Sequence, residues 1–203
     1  MNKTMNKIII FLTCLLLAST STAYTLSIDD VHIPDSLSAG KRQLVLNGAG
    51  IRKKFFMNIY VGALYLMEKS HDAEKIIQSN EPMAIRLHIV SSMISGEKMA
   101  KATRTGFEVA TNGNTAPIKE KIDRFISVFK SGIDKGDIYD IIYLPEKGVD
   151  VYKNNSYIST TSGLALKQAL FGIWLCKNPS HNNPRLKDGM LGIGDGEGCR
   201  KRT

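Results

Sequence analysis

The chain has 203 residues, 43% hydrophobic and 7% aromatic, with 27 lysines and arginines against 19 acidic residues and a formal net charge of +8. This composition excludes a low-complexity or collagen-like chain and supplies enough apolar material for one domain with a real core. The basic balance suits an anionic ligand or an anionic membrane surface, but the charges are scattered and no aromatic–basic motif accompanies them, so nucleic-acid recognition is not expected.

Residues 1–23 have the anatomy of a signal peptide. Lys3 and Lys7 form a positive start, Ile8 to Ala18 is an apolar run too short to span a bilayer comfortably, and Ser21-Thr22-Ala23 places small residues at the cleavage positions. Cys14 follows Phe11, Leu12 and Thr13 rather than the small residues of a lipoprotein signal. Cleavage after Ala23 removes two lysines, lowers the net charge from +8 to +6 and predicts a periplasmic or secreted protein without stable membrane insertion. Of the remaining cysteines, Cys176 and Cys199 either pair in an oxidising compartment or stay as one core thiol and one tail thiol.

Residues 24–193 read as one domain. Thr25 to Pro34 reads as a strand, PDSLSAGKRQ as a turn, and Leu44 to Leu46 as the next apolar run. Gly48, Ala49 and Gly50 mark a place where the backbone bends or something approaches closely, with Arg52 directly after them. From Phe55 to Leu66 aromatic and β-branched residues predict a long strand, with Tyr60 and Asn58 as polar exceptions on an apolar face. His71 to Ser79 has helical spacing, and Met83 to Val90 alternates as a strand.

Ser95 is a credible N-cap for a helix with a Met99, Thr103, Gly106 and Phe107 stripe. A second helix follows from Pro117, with Ile118, Ile122, Phe125, Ile126 and Phe129 spaced for burial. Three short strands over Asp137–Leu144, Gly148–Tyr152 and Tyr157–Thr161 predict a meander, with Lys153-Asn154-Asn155-Ser156 as a tight turn. Gly163 to Leu175 returns to helix, carrying Leu166, Ala169, Leu170, Ile173 and Trp174 on one face. A short helix near Pro184 to Leu191 closes the domain, and residues 194–203 read as a disordered basic tail. Strand runs flanking and following helices predict an α+β fold.

No catalytic residues are assigned. His32, His71, His88 and His181 lack metal-ligand spacing, and GAGIRK completes neither a dinucleotide fingerprint nor a P-loop, so no metal or other cofactor is expected. What remains is the cation Arg52 and the phenol Tyr60 near apolar surfaces, a combination suited to holding a carboxylate or polarising an enone. In extended chain the two residues lie roughly 26 Å apart, so they meet only if the chain folds back between them. Equally, Tyr60 reads as an ordinary core tyrosine and Arg52 as a surface charge.

The run LVLNGAGIRKKFFMNIYVGALYL, with PDSL before it and FGIWL before Pro179, resembles the bacterial members of the chalcone isomerase-like family from about Ile28 to Ile193. The resemblance implies an open-faced antiparallel sheet with helices packed on one side and a ligand cleft between the layers. It implies that Arg52 and Tyr60 occupy the ligand-binding positions, with Tyr60 in a context like the fatty-acid-binding branch, and that Thr105 faces the cleft from a helix. The helix positions that carry Tyr and Asn in the plant isomerases fall here on Lys98 or Met99 and Thr105 or Gly106, and the late-helix Thr falls on Ile173. The expected ligand is a small amphiphilic carboxylate or polyphenol-like molecule, bound by a monomer without catalysis. An intramolecular lyase closing an enone, and a periplasmic accessory protein for a protein partner, are the competing readings.

Overall fold

The computed structural model describes residues 26–176 and 184–193. Residues 1–23, expected as a signal peptide, the tail from Gly194 and Cys199 fall outside the described residues. Among the described residues the strands are β1 (Leu26–Ile28), β2 (Val31–Ile33), β3 (Ser36–Ala39), β4 (Arg42–Lys54), β5 (Met57–Leu66), β6 (Met83–Ile89), β7 (Ile138–Leu144), β8 (Gly148–Lys153) and β9 (Ser156–Thr161). The α-helices are α1 (Ala73–Gln78), α2 (Gly96–Ala110), α3 (Lys119–Ile126), α4 (Leu164–Leu175) and α5 (Pro184–Met190). Strands β3 to β9 form one antiparallel sheet in sequence order, while β1 and β2 pair with each other. The helices pack on one side of the large sheet, giving the α+β class that the residue pattern predicts and the open-faced arrangement that the resemblance implies.

Three elements differ from the sequence reading, each for a local reason. The segment expected as one strand to Pro34 is a hairpin, because Asp29 and Asp30 adopt φ of 52° and 61° and Asp tolerates the left-handed region in a tight turn. PDSLSAGKRQ contains strand β3, with the reversal confined to Gly40 (φ 61°) and Lys41. The strand expected from Phe55 begins at Met57 because the chain turns at Phe55 and Phe56, and of the two readings of Gly48 to Gly50 close approach holds rather than a bend, since they lie inside the 13-residue strand β4.

The small residues of β4 admit helix α5. A Cβ on Gly50 would sit 2.7 Å from the Arg185 and Leu186 carbonyl oxygens, and one on Gly48 would collide with the Gly189 carbonyl. Gly189 in turn lies against the backbone of Ala49 and Gly50, and Leu186 lies over Gly62 on β5. Helix and sheet thus touch backbone to backbone, which a side chain larger than hydrogen would forbid.

Asn47 fixes this contact. It is the extra residue of a β-bulge, since Leu46 pairs with Tyr65 and Gly48 with Leu64. Its buried side-chain Nδ2 donates to the Ser70 and Met190 carbonyls, both at 2.9 Å, and Oδ1 accepts from the Ser70 amide at 2.7 Å. His71 Nδ1 adds a bond of 2.5 Å by donating to the Leu191 carbonyl. A strand, a loop and the end of α5 are held through one amide.

A second buried polar group joins two helices. The Lys167 ammonium on α4 is fully buried and donates to the carbonyls of Ile76 (2.8 Å), Ile77 (2.9 Å) and Ser79 (2.6 Å), which the end of α1 leaves without helical partners. All three ammonium protons are used. The Tyr143 and Phe171 rings also face the charge, at 5.7 and 5.4 Å. Burial pushes this ammonium down to about 8, with the Glu81 charge opposing the shift.

The sheet therefore carries two cores. Leu64, Ile85, Leu87, Tyr139, Ile141 and Val149 face the helices, while Leu44, Val61, Ala63, Tyr65 and Ala84 face the β1–β2 hairpin side. On that second side Arg86 and Asp140, opposite each other on β6 and β7, form a two-bond ion pair at 2.6 and 2.8 Å.

Gly50→Ala should lower stability by about 1–3 kcal/mol through overlap with α5, read as a loss of thermal midpoint. The Lys167 pKa is lower in the folded than in the unfolded chain, so unfolding takes up a proton between about pH 8 and the ordinary 10.5 and stability should rise with pH across that window. Lys167→Met should cost about 1–3 kcal/mol near neutrality by orphaning the three carbonyls, and should remove the rise, as measured by denaturant titrations at several pH values.

Candidate functional site

The Arg52–Tyr60 pair is assembled by the hairpin of β4 and β5. Because the chain reverses at Phe55 and Phe56, Arg52 comes to lie directly opposite Tyr60 in the ladder, with Cα atoms roughly 5 Å apart rather than the extended-chain separation. Directly opposed residues share a face, and here it is the helix side, where Tyr60 packs in the core. On β4 the same face carries Gly48 and Gly50 under α5, so Arg52 is the next side chain on that face beyond the helix.

A second bulge sets the local geometry. Arg52 pairs with Tyr60 but Lys53 pairs with Asn58, leaving Ile59 as the extra residue. Strict alternation would put Ile59 on the opposite side, yet Ile59 and Tyr60 both pack in the helix-side core. The phenol is thereby flanked by apolar surface.

Trp174, near the end of α4, completes the arrangement by donating its Nε1 hydrogen to the Tyr60 hydroxyl at 3.1 Å. An indole N–H can only donate, so the phenol oxygen accepts in this bond and its own proton points elsewhere. Burial pushes the Tyr60 phenol above its ordinary 10.0, outweighing the nearby Arg52 charge and the Trp174 bond, which both act downward. The phenol is therefore neutral, a hydrogen-bond donor beside a guanidinium, in an apolar wall. Such a set can receive a carboxylate: guanidinium opposite the charge, phenol donating to an oxygen.

Thr105 is placed differently. It lies half-buried on α2, outside the buried stripe of Met99, Thr103, Gly106 and Phe107 that faces the core. The structure brings Arg52 and Tyr60 together and does not link Thr105 to them. Of the positions that the resemblance sets against the plant isomerases' polar residues, Lys98 or Met99, Thr105 or Gly106, and Ile173, two pack on each other: a Cβ on Gly106 would meet Ile173 Cγ2 at 2.7 Å. Among the described residues no three His, Cys, Asp or Glu side chains come together as a metal would require.

Trp174 is the residue that sequence reasoning assigned to packing alone. Its apolar helical spacing signals burial, and nothing in that spacing reveals the partner of the indole nitrogen. A polar-tipped aromatic on an otherwise apolar face, with a tyrosine expected in the same core, is the available signal.

An antiparallel sheet with helices packed on one side, and with Arg52 opposite Tyr60 on that side, defines an α+β fold of two layers. The chain belongs to the chalcone isomerase-like family, whose pattern it matches over residues 25–192. Among solved structures it is similar to a fatty-acid-binding protein of Arabidopsis thaliana, with a TM-score of 0.65 and 13% sequence identity over 83% of this chain and 96% of that one. No curated protein sequence matches it.

The Trp174 contact separates packing from hydrogen bonding in a stability experiment. Trp174→Ala should cost about 3–5 kcal/mol, whereas Trp174→Phe should cost about 1 kcal/mol beyond its small loss of volume, both read from urea unfolding.

Proposed function

We propose that this chain is an exported, non-catalytic monomer that binds a fatty acid or similar amphiphilic carboxylate between the sheet and the helices. The carrying observation is the register of Arg52 opposite Tyr60 with Trp174 donating to the phenol, which leaves the Tyr60 proton available beside a guanidinium. A carboxylate takes both groups: paired N–H bonds from Arg52 and one O–H bond from Tyr60, with the tail against apolar side chains. The similarity in fold to a protein described as fatty-acid-binding supports the ligand class. The basic start and apolar run of residues 1–23 support export.

Chemistry is disfavoured by the helices. A ring closure of an enone needs polar groups around the reacting ketone and phenolate; the resemblance sets Lys98 or Met99, Thr105 or Gly106, and Ile173 at those positions, and Gly106 and Ile173 are in apolar contact. Thr105 serves in this reading as a border residue of the cleft rather than as a ligand anchor.

Titration of the purified protein with fatty acids, by calorimetry and native mass spectrometry, tests the proposal. Tyr60→Phe should weaken binding by about ten- to a hundredfold, the loss of one hydrogen bond to a charged acceptor. Arg52→Lys should weaken it about tenfold or more despite keeping the charge, because the paired geometry is lost. Equal affinities in wild type and both variants, or turnover of hydroxylated chalcones above the buffer rate, would defeat it.

A further inference from the structure

The turn that brings Arg52 to Tyr60 is itself unusual. Phe55 and Phe56 are 82% and 101% exposed, so two aromatic rings stand in water at the tip of the hairpin. Phe55 holds φ 54°, a left-handed conformation that Gly or Asn adopts at lower cost. Turns that serve folding alone favour Asn, Asp and Gly at such positions. Exposed Lys53 and Lys54 precede the rings directly.

The neighbouring strand extends this surface. Ile89 of β6 lies opposite Tyr60, so the loop leaving β6 emerges at the same end of the sheet as the hairpin tip. That loop exposes Met93 (52%), and Lys98 donates to the Met93 carbonyl at 3.0 Å. Rings and a thioether set among ammonium groups match what the boundary of an anionic bilayer accepts: apolar groups enter the acyl margin while lysines meet headgroup charge. A second copy of the chain fits poorly, since the tips would repel and so small a contact falls far below a stable dimer interface.

We propose that the β4–β5 hairpin tip docks the protein on an anionic lipid bilayer, with Phe55 and Phe56 entering the interface and Lys53, Lys54 and Lys98 facing the headgroups. Arg52 and Tyr60 stand on the same two strands just behind the tip, so docking sets the carboxylate-binding pair beside a source of amphiphile. That consequence, unlike docking itself, rests on the function proposed above.

Vesicle co-sedimentation tests the docking. The protein, Phe55→Asn/Phe56→Ser and Lys53→Gln/Lys54→Gln are compared on phosphatidylglycerol–phosphatidylcholine vesicles and on pure phosphatidylcholine, at low and high salt. Wild type should bind the anionic vesicles, more weakly at high salt, and each double variant should bind about tenfold less with a thermal midpoint at least equal to wild type for the Phe pair. Binding of the Phe variant equal to wild type, or tip-dependent self-association without vesicle binding, overturns the proposal. Two further readings separate it from the ligand assignment. Tip variants should take up fatty acid from solution as wild type does, and Arg52→Ala should stay on vesicles while losing fatty acid uptake. Arg52→Ala that sediments with vesicles yet binds fatty acid normally upholds docking and overturns the ligand site.

Discussion

The close seating of α5 on β4 is the constraint from which the rest of the helix-side face follows. Backbone meets backbone across Gly48, Gly50 and Gly189, and Asn47 locks the meeting by satisfying Ser70 and Met190 from inside a bulge. A buried amide that left these groups unpaired would cost more than it contributes, so the three bonds make the position specific as well as stable. Where the glycines end, the seat of the helix ends, and Arg52 is the next side chain on that face.

The site inherits its character from this boundary. Tyr60 is buried by the same core that α5 and α4 complete, and the Ile59 bulge turns an additional apolar side chain toward it. In that setting the phenol stays neutral and the indole of Trp174 decides which way its proton can go. The same low-polarity surroundings strengthen any charge-assisted bond made to Arg52 and Tyr60, because fewer waters compete. The buried Lys167 uses its charge differently: its three protons are consumed by the end of α1, so it joins helices instead of recognising a ligand.

Much of the architecture was legible in order of appearance. Alternation located β5, β6 and the β7–β9 meander, Ser95 caps α2 with its side chain, and Asn154 and Asn155 take the left-handed turn between β8 and β9. The hairpin was misread at its reversal point. Gly48 and Gly50 allow either a bend or a close approach, and their smallness answers to the second, a helix arriving from far along the chain. The true reversal falls on two phenylalanines, residues that local propensity places in a strand.

The sequence by itself determined the α+β class, the helix and strand periods, and the two side chains whose chemistry suits a carboxylate, because these depend on side-chain pattern and short-range turn chemistry. It also carried the family pattern confirmed over residues 25–192. Only the tertiary structure decided that Arg52 faces Tyr60, that Trp174 holds the phenol, and that Gly106 closes on Ile173. Those relations join residues far apart in the chain through two bulges and a helix-on-sheet contact. A bulge shifts the register of every residue beyond it, and no pattern within one strand records what its partner or the covering helix will do.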